Sequence, residues 1–305
     1  MSRRLMFALG ALPAFVAGPL FAQGTAAAKK ATTNEIVTTA DRWQIPFTYY
    51  KPTLGKDAPV VILLHMRGGN RNEWKTNGMA EQLQDKGYAV FAVDLRQHGE
   101  SKPVGGTASG PDALKPNDYK IAAGPGGELE ALKQFIYDEH QKGNLNMAKT
   151  AIVAPGMAAP IAANWAAYDW SKRPYNDAPT VAARTPKGQD VKALVFLSPE
   201  ANVPGVQITR ALQLLKNVGV AFLILHGEVD DDARDASKMQ QQLGGSAGSE
   251  QRVVLQGYGY KLRGTDLLTV DDPKAPPKAL ILGFLEKHLK SLDIPWRDRR
   301  SRLER

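Results

Sequence analysis

The chain contains no cysteine, which removes thiol nucleophiles, zinc-thiolate sites and disulfides together. Its histidines, His65, His98, His140, His226 and His288, are scattered, and no His/Asp/Glu group has a metal-ligand spacing such as His-Glu-x-x-His. Neither a metal nor a cofactor is therefore expected. The glycines of Gly124–Gly127 follow no strand and precede no Lys-Ser/Thr pair, so they do not make a phosphate loop. Carboxylates are more promising. Asp230, Asp231 and Asp232 follow an apolar run, where an acid could orient a base or simply cap a helix. Arg263 cannot serve as a general base near neutral pH, but its planar fork can grip a carboxylate. Ser198 stands beside Pro199 with no evident base, and Ser101 reads as a backbone hydrogen-bonder. Asp94 and Arg96 read as a structural pair.

The elements that must position these residues alternate in kind. Ile36–Thr39 and Ile45–Tyr50 read as an opening hairpin. Pro59–His65 is continuously apolar, as a strand covered on both faces must be. A helix over Glu73–Lys86 and a strand over Ala89–Asp94 follow, then a long loop from Ser101 to Gly127. Leu129, Leu132, Phe135 and Ile136 mark a helical face, Thr150–Val153 a short strand, and Ala158–Trp170 a helix. The alternation continues with strand Ala193–Leu197, helix Ile208–Lys216, strand Val220–His226, helix Asp232–Leu243, strand Gln251–Gln256 and helix Ala279–Leu292. This order predicts an α/β fold, with a mostly parallel central sheet and helices on both faces. Ligands of such sheets bind beyond the carboxyl ends of the strands. No insertion between Leu197 and Val220 is long enough for a cap domain.

Three blocks carry a family resemblance. Pro59–Asn70 (PVVILLHMRGGN) resembles the strand and oxyanion loop of α/β-hydrolases, and Tyr88–Ser101 (YAVFAVDLRQHGES) the strand and turn that follow it. Phe222–Asp230 (FLILHGEVD) resembles the strand that delivers the triad acid in that superfamily. Weaker similarity runs from about Val37 to Leu289, and the dienelactone-hydrolase or esterase-like branch is the one it is most similar to.

The resemblance implies a Ser-His-Asp machinery built on a Gly-x-Ser-x-Gly turn. At the corresponding place the chain reads Val153-Ala154-Pro155-Gly156-Met157-Ala158-Ala159, with Gly156 in the serine position. Asp230 falls at the acid position. Arg263, in Leu262-Arg263-Gly264-Thr265, falls where a histidine would precede Gly-Thr. The backbone N–H groups near Arg67 and Met157 would line an oxyanion hole. The resemblance thus implies a hydrolase fold whose nucleophile and base are missing. The expected geometry pairs Asp230 with Arg263 beside Gly156, and makes Arg263→Ala more damaging than Arg299→Ala. His65 and His98 read as loop-holding residues, and His288 as a surface residue in the closing helix.

Two functional readings follow. One is a pseudo-hydrolase that binds a small anionic or ester-like ligand or an envelope partner. The other is an active carboxylic-ester hydrolase with an unconventional nucleophile such as Ser198.

The ends of the chain bear on location. Arg3 and Arg4, the uncharged stretch Leu5–Phe21 and the Ala22-Gln23 junction follow the plan of a secretory signal peptide, 1–22. Export to the periplasm or medium is the expectation, with no further membrane span. Residues 23–35 read as a flexible lead-in, 36–292 as one domain and 293–305 as a basic, solvated tail. The net charge of +8 is not accompanied by any nucleic-acid motif, so no nucleic-acid partner is expected.

Overall fold

The computed structural model describes residues 31–228, 230–244 and 252–305; the proposed signal peptide lies outside them. The strands are β1 (Thr32–Thr38), β2 (Trp43–Tyr50), β3 (Pro59–Leu63), β4 (Ala89–Val93), β5 (Lys102–Pro103), β6 (Asn146–Pro155), β7 (Val191–Leu197), β8 (Asn202–Val203), β9 (Val206–Gln207), β10 (Ala221–His226) and β11 (Val253–Gly257). The main sheet runs β1-β2-β4-β3-β6-β7-β10-β11, with β5 added to β2. Strands from β4 across to β11 are parallel, whereas β1 and β2 are antiparallel.

The helices are α1 (Glu73–Thr76), α2 (Met79–Asp85), α3 (Pro116–Ala122), α4 (Glu128–Gln141), α5 (Ala158–Ser171), α6 (Thr209–Asn217), α7 (Asp230–Leu243) and α8 (Pro277–Leu285). Strand alternation divides the core between the two faces. Val60 and Ile62 pack with residues of α4, α5, α6 and α7, while Val61 and Leu63 pack with residues of α1, α2 and α8. Both faces are thus covered, which explains the unbroken apolar runs in β3 and β4. Among the described residues no cap domain interrupts the fold.

Several expectations need correction. Thr32–Glu35, assigned to the lead-in, belongs to β1, because alternate side chains of this edge strand stay exposed while its backbone pairs with β2. The helix expected over Glu73–Lys86 breaks at Gly78, whose φ of +73° is left-handed and cannot continue a helix. The loop Ser101–Gly127 contains α3.

The basic tail is anchored at Trp296 and Arg299, while Arg297, Arg300, Arg302 and Arg305 stay exposed as expected. Trp296 Nε1 donates to the His140 carbonyl at 2.9 Å, and Asn146 Nδ2 donates to the Ile294 carbonyl at 2.8 Å. Arg299 is buried, its guanidinium 2.8 Å from the buried carboxylate of Asp190. Composition alone could not reveal this, because a basic residue is paired or free according to what the folded chain brings beside it.

Candidate functional site at the carboxyl ends of the strands

Gly156 forms the turn between β6 and α5 with φ +49°, in the left-handed region that costs glycine nothing. Its N–H donates to the Leu197 carbonyl at 3.0 Å, and its own carbonyl accepts from Glu200 N at 3.2 Å. The turn is therefore clamped to the end of β7. A Cβ at this position would lie 3.2 Å from Met66 Cβ and 3.5 Å from Glu200 Oε1. The loop after β3 thus lies directly against the turn, and Arg67 and Met157 are the residues immediately following this contact. Arg67 sends its guanidinium across to the Tyr119 hydroxyl and the Pro111 carbonyl. Met157 is buried at the start of α5.

Arg263 arrives from the far side. The loops after β10 and β11 run together through Tyr258 N to the His226 carbonyl and Glu228 N to the Tyr260 carbonyl. Gly227 permits this approach, since a Cβ there would fall 2.3 Å from the Leu262 carbonyl oxygen. Gly264 leaves room for the Met66 thioether, which would meet a Cβ at 2.5 Å. Met66 therefore bridges the space between the Gly156 turn and the Arg263 loop.

The partner of Arg263 among the described side chains is Asp232, which the sequence reading did not single out. Arg263 makes a two-pronged bond to Asp232, Nε to Oδ2 at 2.7 Å and Nη2 to Oδ1 at 2.6 Å. Asp230 is the first residue of α7, and its side chain lies outside the described residues. Asp232 is 2% exposed and Arg263 44%, so the acid is sheltered while the cation keeps one side to solvent.

Glu200 is a participant that sequence reading missed. Burial raises its pKa, against Arg67 and Arg263, which favour its charge, and with Asp232 and Asp235, which oppose it. The cleft is consequently a mixed cluster of two cations, Arg67 and Arg263, and three carboxylates, Glu200, Asp232 and Asp235. Glu73 was missed too: it accepts from Asn70 N at 3.2 Å and Thr265 Oγ1 at 2.9 Å, tying the loop after β3 to the loop carrying Arg263. No local motif marks either glutamate, because their partners are distant in sequence.

The remaining candidates are structural or isolated. His65 Nε2 accepts from Leu95 N at 2.9 Å, so its Nδ1–H donates to the Met66 carbonyl, also at 2.9 Å. The ring therefore ties the ends of β3 and β4. His98 lies 4.7 Å from it, ring to ring. Asp94 pairs with Arg71, and Arg96 with Glu128 and Asp41; the expected Asp94–Arg96 pair is not formed. Both residues lie beyond the end of β4, where alternation no longer sends positions two apart to one face. Ser101 bonds His98 through its backbone, but its buried hydroxyl has no partner among the described residues. Ser198 has φ +47° and a buried Oγ likewise without one. His288 is half-buried against Phe284 in the closing helix, away from this cleft.

The buried histidines set a pH response. Burial, with a contribution from His98, pushes His65 down to about 3; burial also lowers His98 and His140. An unfolded histidine takes up its proton near pH 6.5. The unfolded state therefore binds more protons than the folded state as pH falls below that value, and stability declines. At pH 5, His65 alone should remove roughly 2 kcal/mol relative to pH 7 or above. Urea midpoints at pH 7.5 and 5 measure this, and an unchanged midpoint would contradict the buried neutral assignment.

The topology and these three loops can be set beside known proteins. A family model described as alpha/beta hydrolase fold matches residues 59–246. The chain belongs to that family. Its structure is similar to an esterase of Pyrococcus furiosus, with a TM-score of 0.59 and 14% identity over 85% of this chain and 92% of the other. A fungal esterase from Rhizomucor miehei gives 0.57 and 14%, over 85% and 83%. A dienelactone hydrolase from Anabaena variabilis gives 0.49 and 14%, over 85% and 99%. No curated protein sequence matches the chain. The likeness to the two esterases shows a common fold alone, with function left to the site itself.

Proposed function

We propose that this α/β-hydrolase-fold protein binds a small ester or carboxylate-bearing molecule without hydrolysing it. The observation that carries the reading is Gly156 at the strand-to-helix turn, with Met66 packed against it. A hydrolase elbow holds its serine at such a turn. Glycine keeps the backbone shape and supplies no nucleophile. Arg263 occupies the base position, where it neutralises Asp232 and cannot take a proton from a nucleophile. Loss of both members should remove nucleophilic catalysis, because the triad works as a unit.

The cleft retains groups suited to recognition. Arg67 and Arg263 attract a carboxylate, and Glu200, whose pKa burial raises, lies beside the Gly156 turn. The wild-type protein should hydrolyse p-nitrophenyl acetate no faster than its heat-denatured form, and a fluorophosphonate probe should not label it. The unpartnered Ser198 hydroxyl is the specific observation favouring an active esterase. Labelling or turnover that disappears in Ser198→Ala would establish that second reading and end the first.

Export also belongs to this reading, and rests on the charged-then-apolar residues 1–22. Protein recovered from the cell envelope should begin near Gln23 on N-terminal sequencing; an intact Met1 on cytoplasmic material would overturn it.

A further inference from the structure

The opposite end of the sheet carries a second concentration of charge. Two cavities, of about 600 and 460 Å³, lie where β6 and β7 begin, and Lys172, Pro186 and Arg299 line both. Given about 3.3 Å per residue, β7 alone separates this end from the Gly156 cleft by roughly 20 Å.

The cations here divide into two kinds. Some are neutralised. Lys133 lies between the buried carboxylates of Asp169 and Asp190, Arg299 is paired with Asp190, and Lys172 is 2.7 Å from Glu130. Others are not: among the described residues Arg173, Arg184, Lys187, Lys192 and Arg297 form no ion pair. Lys187 and Arg173 line the larger cavity, and Arg184, Lys192 and Arg297 the smaller. Lys192 is half-buried, with its ammonium donating to the Gln189 carbonyl at 2.6 Å and lying 4.7 Å from the Trp170 ring. Lys187 is 4.2 Å from the Tyr175 ring, and Lys172 4.8 Å from that of Tyr168. Aromatic faces thus fix the ammonium positions without cancelling their charge. Burial lowers the pKa of Lys172 and of Lys192; Lys133 adds to the effect at Lys172 and Arg299 at Lys192, against Glu130 and Asp169 at the first and Asp190 and Asp169 at the second. A desolvated ammonium facing other cations is stabilised when an anion arrives.

We propose that these adjoining cavities, which share Lys172, Pro186 and Arg299, bind a small molecule bearing two phosphate groups. Two phosphates supply a charge of about −3 to −4 near neutral pH, which offsets most of the charge of the five unpaired cations that line the two cavities. The spread of these cations over both cavities suits two separate anionic groups better than one. This site is independent of the ester-binding cleft, so either assignment can fail alone.

Calorimetric titration of the full chain with pyrophosphate, at fixed ionic strength, tests the proposal. Saturable one-site binding is expected, with single orthophosphate at least about tenfold weaker. Arg173→Gln/Lys187→Gln/Lys192→Gln should weaken pyrophosphate about tenfold or more. A control removing equal charge elsewhere, Lys75→Gln/Lys86→Gln/Lys238→Gln, should change it less than twofold. Should the triple variant lose its native circular dichroism, Arg173→Gln alone serves, because that side chain lines the cavity and holds no ion pair among the described residues; it should weaken binding at least twofold. No saturable heat, or equal losses in the cavity and control variants, would overturn the site.

Discussion

Gly156→Ser combined with Arg263→His should give ester hydrolysis about 100-fold above either single change, the scale on which general acid–base catalysis operates. The geometry is favourable on the acid side. Asp232 is buried in the first turn of α7 and already holds residue 263 through two bonds, so a histidine there would meet a carboxylate able to orient it. The serine side is tighter. A side chain at 156 must accept a left-handed backbone and displace Met66 by a few tenths of an ångström, since the Cβ contact is 3.2 Å. That strain costs on the order of 1–3 kcal/mol and should lower stability while the activity rises. Adding Asp232→Asn should return the rate to that of the single variants. Progress curves with p-nitrophenyl acetate decide the matter: a double variant no faster than its parents would mean that positions 156, 232 and 263 do not form a triad-like set.

At the other end of the molecule, Arg299→Ala should destabilise the protein by about 3–5 kcal/mol. Arg299 and Asp190 are 5% and 3% exposed, with a 2.8 Å separation, and Arg299 Nη2 also donates to the Gly188 carbonyl. Burial works to raise the Asp190 pKa, but Arg299 and Lys133 outweigh it and hold the carboxyl below its usual range. Removing Arg299 leaves Lys133 to serve two buried carboxylates, Asp169 and Asp190. Lys133 softens the loss, so the lower part of the range is expected. Arg302→Ala, at an exposed tail residue, should stay within about 0.5 kcal/mol. Urea unfolding of both variants measures the difference; equal midpoints would show that the tail is not anchored through Asp190. The ranking expected from sequence, with Arg263→Ala the worse of the two, is reversed. Arg263 remains 44% exposed, so water can reach its pair with Asp232, whereas the Arg299 pair is sealed.

The sequence by itself determined the architecture. Buried strands such as Val60–Leu63 must be apolar at every position because helices cover both faces, and that requirement is written in consecutive residues. It also located the Gly156 turn, because a strand, a flexible residue and a small-residue helix occur in immediate succession. What it could not determine was which charged groups meet. Nothing in the run of aspartates from 230 to 232 marks Asp232, and its grip by Arg263 exists only once the loops after β10 and β11 are brought together. Glu200 enters the cleft because its backbone is bonded to Gly156 across adjoining strand ends. Arg299 belongs to the core because the tail folds back beside Asp190, 109 positions earlier in the chain. Hydrophobic periodicity is a local property and survives in the linear chain. Charge pairing acts over a few ångströms between distant residues, so it exists only once the backbone has closed those distances.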